Sequence, residues 1–196
     1  MSTTRTDNAD KHLTELESIV CRRRVVIVGV GRHDRGDDGF GPAVIKAVAA
    51  YCLPVPLIDA GPCPENVTEV IARHEPTGLL WLDAGAIGQP PGAWLLCGPD
   101  ALAGTGTCTH TGSLALVARY LEARTGALSW FLLAQPANVG EPGNEAETTA
   151  GPPQGRGEHH RPVRLSAPVA EAVRQVSQLI ADTWSRCRGA RPHEFR

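Results

Sequence analysis

Arg24-Val-Val-Ile-Val-Gly-Val30 runs directly into Gly31-Arg-His-Asp-Arg-Gly-Asp-Asp-Gly-Phe-Gly41. The first stretch is a short, β-branched apolar run with no polar alternation, the pattern of a strand buried on both faces. Gly29 and Gly31 let the backbone turn tightly where a Cβ would interfere. Phe40, Val44, Ile45 and Val48 then recur at helical spacing, which predicts a helix over about 39–51.

The same alternation of apolar run and helical stripe continues along the chain. Pro56-Leu-Ile-Asp-Ala60, Gly78-Leu-Leu-Trp-Leu-Asp-Ala84, Ala93-Trp-Leu-Leu-Cys97 and Leu128-Ser-Trp-Phe-Leu-Leu-Ala134 read as four further strands. Helices are predicted over 66–73, 110–123 and, through Val169, Val173, Val176 and Ile180, near the C-terminus. Strands without polar alternation, separated by helices, predict an α/β fold: a mostly parallel, twisted five-stranded sheet between two helix layers, an α/β/α sandwich. One domain over 23–187 suits the length. Residues 1–22 read as a flexible tail with at most a short helix, and 188–196 as a polar tail. The stretch 136–164 is rich in Pro, Gly, Glu and Asn without periodicity, so a long loop is expected there, mobile over 141–160.

Composition excludes several classes of function. The 196 residues carry a net charge of -2, and Lys and Arg form no stripe, so neither nucleic acid nor an anionic membrane is an expected partner. No run approaches 18 apolar residues, and Met1–Glu17 lacks the apolar centre of a secretory signal, so the cytoplasm is the expected compartment. A monomer is expected. The six cysteines (Cys21, Cys52, Cys63, Cys97, Cys108 and Cys187) form no CxxC pair and are read as small buried or half-buried thiols.

In parallel sheets, functional groups collect beyond the carboxyl ends of the strands. The first predicted strand is followed there by Asp37 and Asp38, the second ends at Asp59, the third at Asp83. A helix N-cap explains one member of the Asp37-Asp38 pair but not both. A nucleotide site fits poorly. No Gly-Lys-Ser/Thr occurs, Asp34 stands where a third fingerprint glycine would be, and two carboxylates at a helix start repel a pyrophosphate. His110 follows Thr109, a good N-cap, in the first turn of a helix, where the imidazole stays neutral and able to bind metal. Asp38, Asp83 and His110 together make a nitrogen–oxygen site suited to a divalent transition metal. His33, beside the Gly-rich turn, is a secondary pocket residue. His12, His193, His159 and His160 fall in tails or the long loop. No Gly-x-Ser-x-Gly elbow or His-Glu-x-x-His is present.

The ordered set Gly29-x-Gly-(x)4-Gly-Asp-Asp-Gly-x-Gly41, Asp59-x-Gly-x-x-Pro-Glu-Asn66, Leu82-Asp-Ala84 and Thr109-His110 resembles the hydrogenase maturation endopeptidases. Pro64-Glu-Asn66 is similar to the branch serving formate-hydrogenlyase-type hydrogenases, and Gln135-Pro136 and Leu165-Ser-Ala-Pro-Val169 also match. The resemblance spans about residues 24–182. It implies a single α/β domain that cuts a C-terminal extension from the large-subunit precursor of a nickel-iron hydrogenase after nickel insertion. It further implies that the substrate's Ni2+ is contacted by Asp38, Asp83 and His110, the catalytic and metal-contacting set, where other divalent metals can also sit. Arg32 departs from the family's usual Asn, and the loop 141–164 is longer than usual. A nickel-checking chaperone that binds the precursor without cutting it is the alternative expectation, suggested by Arg32.

Overall fold

The computed structural model describes residues 14–20, 24–99, 109–137 and 164–189, with backbone alone at 109–112 and 188–189. The five apolar runs form β1 (Val25–Val30), β2 (Leu57–Gly61), β3 (Gly78–Ala84), β4 (Trp94–Cys97) and β5 (Leu128–Ala134). They make one sheet in the order β2-β1-β3-β5-β4. β1 pairs in parallel with β2 and β3, and β3 with β5. Only β4, the four-residue edge strand, is antiparallel. The helices are α1 (14–20), α2 (Phe40–Ala49), α3 (Thr68–Arg73), α4 (Thr109–Thr125) and α5 (Ala167–Gly189).

Side-chain alternation along the buried strands divides the core into two layers. Ile27, Leu80, Leu82 and Leu132 pack with Phe40, Val44 and Val48 of α2 and Val169, Val176 and Ile180 of α5. Val26, Val28, Leu79, Trp81, Phe131 and Leu133 pack on the other face with Ile71 of α3 and Leu114, Ala118 and Leu121 of α4. Trp81 and Phe131, cross-strand partners, stack with ring centroids 6.5 Å apart. The three-layer sandwich expected from the sequence is the observed architecture.

Two corrections belong here. The expected flexible tail over 1–22 contains α1, whose Leu16, Ile19 and Val20 lie in the α2/α5 core, while 1–13 and 21–23 are outside the described residues. The expectation of buried or half-buried thiols holds for Cys63 and Cys97, while Cys52 is a free but exposed thiol and Cys187 is disulfide-bonded. The C-terminal helix runs past the predicted domain end at 187, to Gly189. The predicted mobile loop falls almost wholly on 138–163, outside the described residues.

Sheet order places the site. From β1 the chain crosses through α2 to β2, then returns through α3 past β1 to β3. The two crossovers lie on opposite faces, so a crevice opens between the carboxyl ends of β1 and β3, at the switch point of the sheet. Gly41 lets α2 start directly over that crevice. A Cβ on Gly41 would lie 2.3 Å from Leu82 O and 2.4 Å from Val30 O.

Candidate active site

The turn joining β1 to α2 is a short 3-10 element, Gly36–Gly39, with Asp37 and Asp38 at its centre. Gly31, at φ +128, enters it in a conformation closed to other residues, and a Cβ there would sit 1.8 Å from Asp38 O. Neither aspartate caps a helix: no side-chain cap bond is made at this turn or at the start of α2. Asp38 is half-buried, and its Oδ2 accepts the Arg32 backbone N–H at 3.0 Å.

Asp83 closes β3 on the other side of the crevice. It is 4 % exposed, and its Oδ1 accepts the Ala84 N–H at 2.8 Å. Burial, then the negative charge of Asp38, pushes its carboxyl up from 3.8 to about 8. That influence makes the two aspartates electrostatic neighbours, as their strand-end positions require. A buried acid raised by a second acid is a pair that one proton or a cation would stabilise. The pleat puts Asp83 in phase with Leu79 and Trp81, on the α3/α4 side of the sheet.

His110 lies in the first turn of α4. Two residues, Gly126 and Ala127, join α4 to the amino end of β5. A helix this long spans roughly 25 Å, so its first turn stands at the carboxyl edge of the sheet, on the face Asp83 shares. The His110 side chain is outside the described residues. Among the described residues, no three His, Cys, Asp or Glu side chains form a metal-holding cluster; the described part of the expected ligand set is the Asp38–Asp83 pair.

Asp59 does not join this pair as a third acid. Its Oδ2 lies 2.8 Å from His33 Nε2, and its Oδ1 accepts the Gly61 N–H at 3.0 Å. It is a turn former with an exposed histidine partner. Arg32 is accommodated without loss. Its Nε and Nη2 donate to Asp34 at 3.0 and 2.9 Å, and the bond to Asp38 comes from its backbone, which any residue supplies. The feature that suggested a non-cutting chaperone therefore leaves the site geometry intact.

Two residues at the strand ends carry roles that their local sequence does not announce. Gln135 Oε1 accepts Ile87 N–H at 2.8 Å and Gln89 N–H at 3.4 Å, tying the loop after Asp83 to the end of β5. Asp37 is 1 % exposed and accepts hydrogen bonds from Ala137 and Ser166. The Gln135-Pro136 and Leu165–Val169 matches mark these places in the sequence, but their partners lie far away along the chain. Cysteine chemistry is disfavoured where it can be judged: burial, then Glu15, pushes the Cys97 thiol up to about 11, so it stays protonated at neutral pH.

No protein-family model matches the chain. A protein of Methanocaldococcus jannaschii assigned as a hydrogenase maturation protease is 27% identical over 123 residues, covering 58% of this chain and 73% of that one. The hydrogenase 3 maturation protease of Escherichia coli is 37% identical over 83 residues, 40% of this chain; the chain spans about half of that relative's length, 51%. The crystal structure of the [NiFe] hydrogenase maturation protease HycI from Thermococcus kodakarensis superposes with a TM-score of 0.70 at 25% identity, covering 87% of this chain and 99% of that one. With the sheet order and the acidic pair at its switch point, these likenesses make the chain similar in sequence and fold to the hydrogenase maturation proteases.

Proposed function

We propose that this protein is the endopeptidase that removes the C-terminal extension of a nickel-loaded nickel-iron hydrogenase large-subunit precursor. The observation that carries the reading is the Asp38–Asp83 pair: two acids at the switch-point crevice, one of them buried and raised to about 8. Such a pair suits an incoming cation. Nickel, brought by the substrate, is held by Asp38, Asp83 and His110, and other divalent ions compete for the same donors.

In this reading the metal displaces the proton of Asp83, because only the carboxylate ligates well. Hydrolysis then adds a water oxygen to the scissile carbonyl carbon, breaks the C–N bond and leaves the proton on the departing amine. Polarisation of the carbonyl by the substrate's nickel and activation of water by an adjacent carboxylate are the two routes open to this donor set. The chain acts as a monomer in the cytoplasm. No described helix is long and apolar enough to cross a membrane.

The test is to incubate the protein with nickel-loaded and nickel-free precursor and follow the size of the large subunit. Cleavage of the loaded form alone supports the reading. Equal cleavage of both removes nickel as the recognition element, and binding without cleavage makes the protein a chaperone.

A further inference from the structure

Asp37 stands beside Asp38 in the turn, yet its environment is different in kind. Its Oδ2 accepts the Ala137 N–H at 2.8 Å and the Ser166 hydroxyl at 2.9 Å, and its Oδ1 accepts the Ser166 N–H at 2.7 Å. Ala137 lies just beyond the end of β5 and Ser166 just before the start of α5. One buried carboxylate therefore joins the β1–α2 turn to both ends of the stretch 138–165. Leu165 lies over the same turn, its Cδ2 3.8 Å from where a Cβ on Gly39 would be.

Two backbone bonds lead into the turn, Arg35 N–H to Arg32 O and Asp38 N–H to Arg35 O, 3.3 and 3.2 Å long, at the loose end of the normal range, and Phe40 N–H closes it on Asp37 O. Charge-assisted bonds to a buried carboxylate are shorter and stronger, and Asp37 has three. With consecutive Cα atoms about 3.8 Å apart, fixing Asp37 fixes the neighbouring residue.

We infer that Asp37 is a positioning residue, whose carboxylate locks the glycine-rich turn against the β5 exit and the α5 start and so sets where the Asp38 carboxylate sits. It rests on the proposed function only for its catalytic arm. The Arg32 N–H, which donates to Asp38 Oδ2, reports the position of Asp38 independently of any activity.

The experiment uses Asp37→Asn and Ser166→Ala in the full chain. An asparagine keeps the shape but turns an NH2 toward one of the backbone N–H donors. Amide hydrogen exchange at Arg32 is expected to rise by about tenfold or more in Asp37→Asn while β1 and β3 amides keep their protection, because only the local opening changes. Precursor cleavage, assayed well below the variant's own melting temperature, is expected to lose kcat by on the order of a hundredfold with KM nearly unchanged, the size of effect a misplaced catalytic group produces. Ser166→Ala, which keeps both backbone donors, shifts both readouts in the same direction by less. Wild-type exchange at Arg32, or wild-type kcat per folded molecule, in Asp37→Asn overturns the inference. If Asp37→Asn does not fold, the same two readouts in Ser166→Ala decide, and no shift in either overturns it. If the unmutated protein cuts no precursor, the functional reading fails and the exchange arm still decides this one.

Discussion

The two ends of the sheet treat charge in opposite ways. At the amino ends, Arg24, Arg73 and Arg124 meet Glu69 and Glu75 around a cleft of about 470 Å³. Arg24 pairs with Glu75 at 3.7 Å, and Glu69 takes both Arg73, at 3.8 Å, and Arg124, at 2.6 Å. These groups are solvated and matched in sign. At the carboxyl ends, Asp83 is buried with Asp38 beside it, and none of the described ion pairs involves either of the two. The cleft at the amino ends is therefore lined by charges that already have partners. The acidic pair of the proposed site lies at the opposite end, and α4 touches both ends, with His110 in its first turn and Arg124 in its last.

The sharpest way to break this contrast is by substitution at each end. Asp38→Asn and His110→Ala are expected to leave nickel-loaded precursor uncut, a loss on the order of a hundredfold or more, with cooperative melting retained. Glu69→Gln at the other end is expected to process precursor at the wild-type rate. Equal loss at both ends, seen by following large-subunit size, would remove the basis for choosing the carboxyl edge.

The second test is pH. Because the folded-state acid of Asp83 is raised to about 8, the unfolded chain ionises first, near its ordinary 3.8. The stabilising effect of the neutral acid is complete below that value and is lost as pH rises toward about 8, at about 1.4 kcal/mol per unit. Denaturant melts of the metal-free protein between pH 4 and 8 should show this decline, and Asp83→Asn should flatten it. A wild-type slope retained in Asp83→Asn would place its origin elsewhere.

Glycines sharpen the comparison from the backbone side. Gly41→Ala drives a methyl into Leu82 O and Val30 O, an overpacking that costs about 3 kcal/mol and lowers the melting temperature by roughly 6–12 °C for a chain of this size. Gly126, at the amino edge with φ +72 and nothing within 4 Å of an added Cβ, should lose only about 1 kcal/mol on change to Ala, the cost of a left-handed backbone. Thermal melts of the two variants give the ratio directly. The smallest effect belongs to Glu69→Gln: exposed pairs are weak and screened by salt, so its melting temperature should match wild type at moderate ionic strength.

The apolar runs announced the sheet because β1, β3 and β5 are buried on both faces, which leaves no polar residue to blur the pattern. Asp83 stood out for a related reason, as a charge at the end of such a run, and Asp38 as the second of two aspartates where a helix cap explains only one. Asp37 was not legible as a joint, since its partners are 100 and 129 residues away and its neighbours suggest a helix cap. The helix at 14–20 was legible only as an optional short helix in a tail, because three core residues in polar surroundings are too few to make a clear stripe. The bonded state of Cys187 has no spacing signature at all. The antiparallel direction of β4 depends on where the following segment runs, and a four-residue apolar run does not encode it.

The Asp37–Ser166 joint also has a consequence in time. A chain is made from its amino end, and early segments are free to fold before later ones exist. β1, β2 and β3, with both aspartates of the crevice, are complete by Ala84, but Ser166 and α5 come at the far end. Loops this long close late and slowly. A ribosome-bound chain can thus have most of its sheet while the turn bearing Asp38 still lacks its lock. The turn bearing Asp38 is completed last, when the C-terminal helix docks.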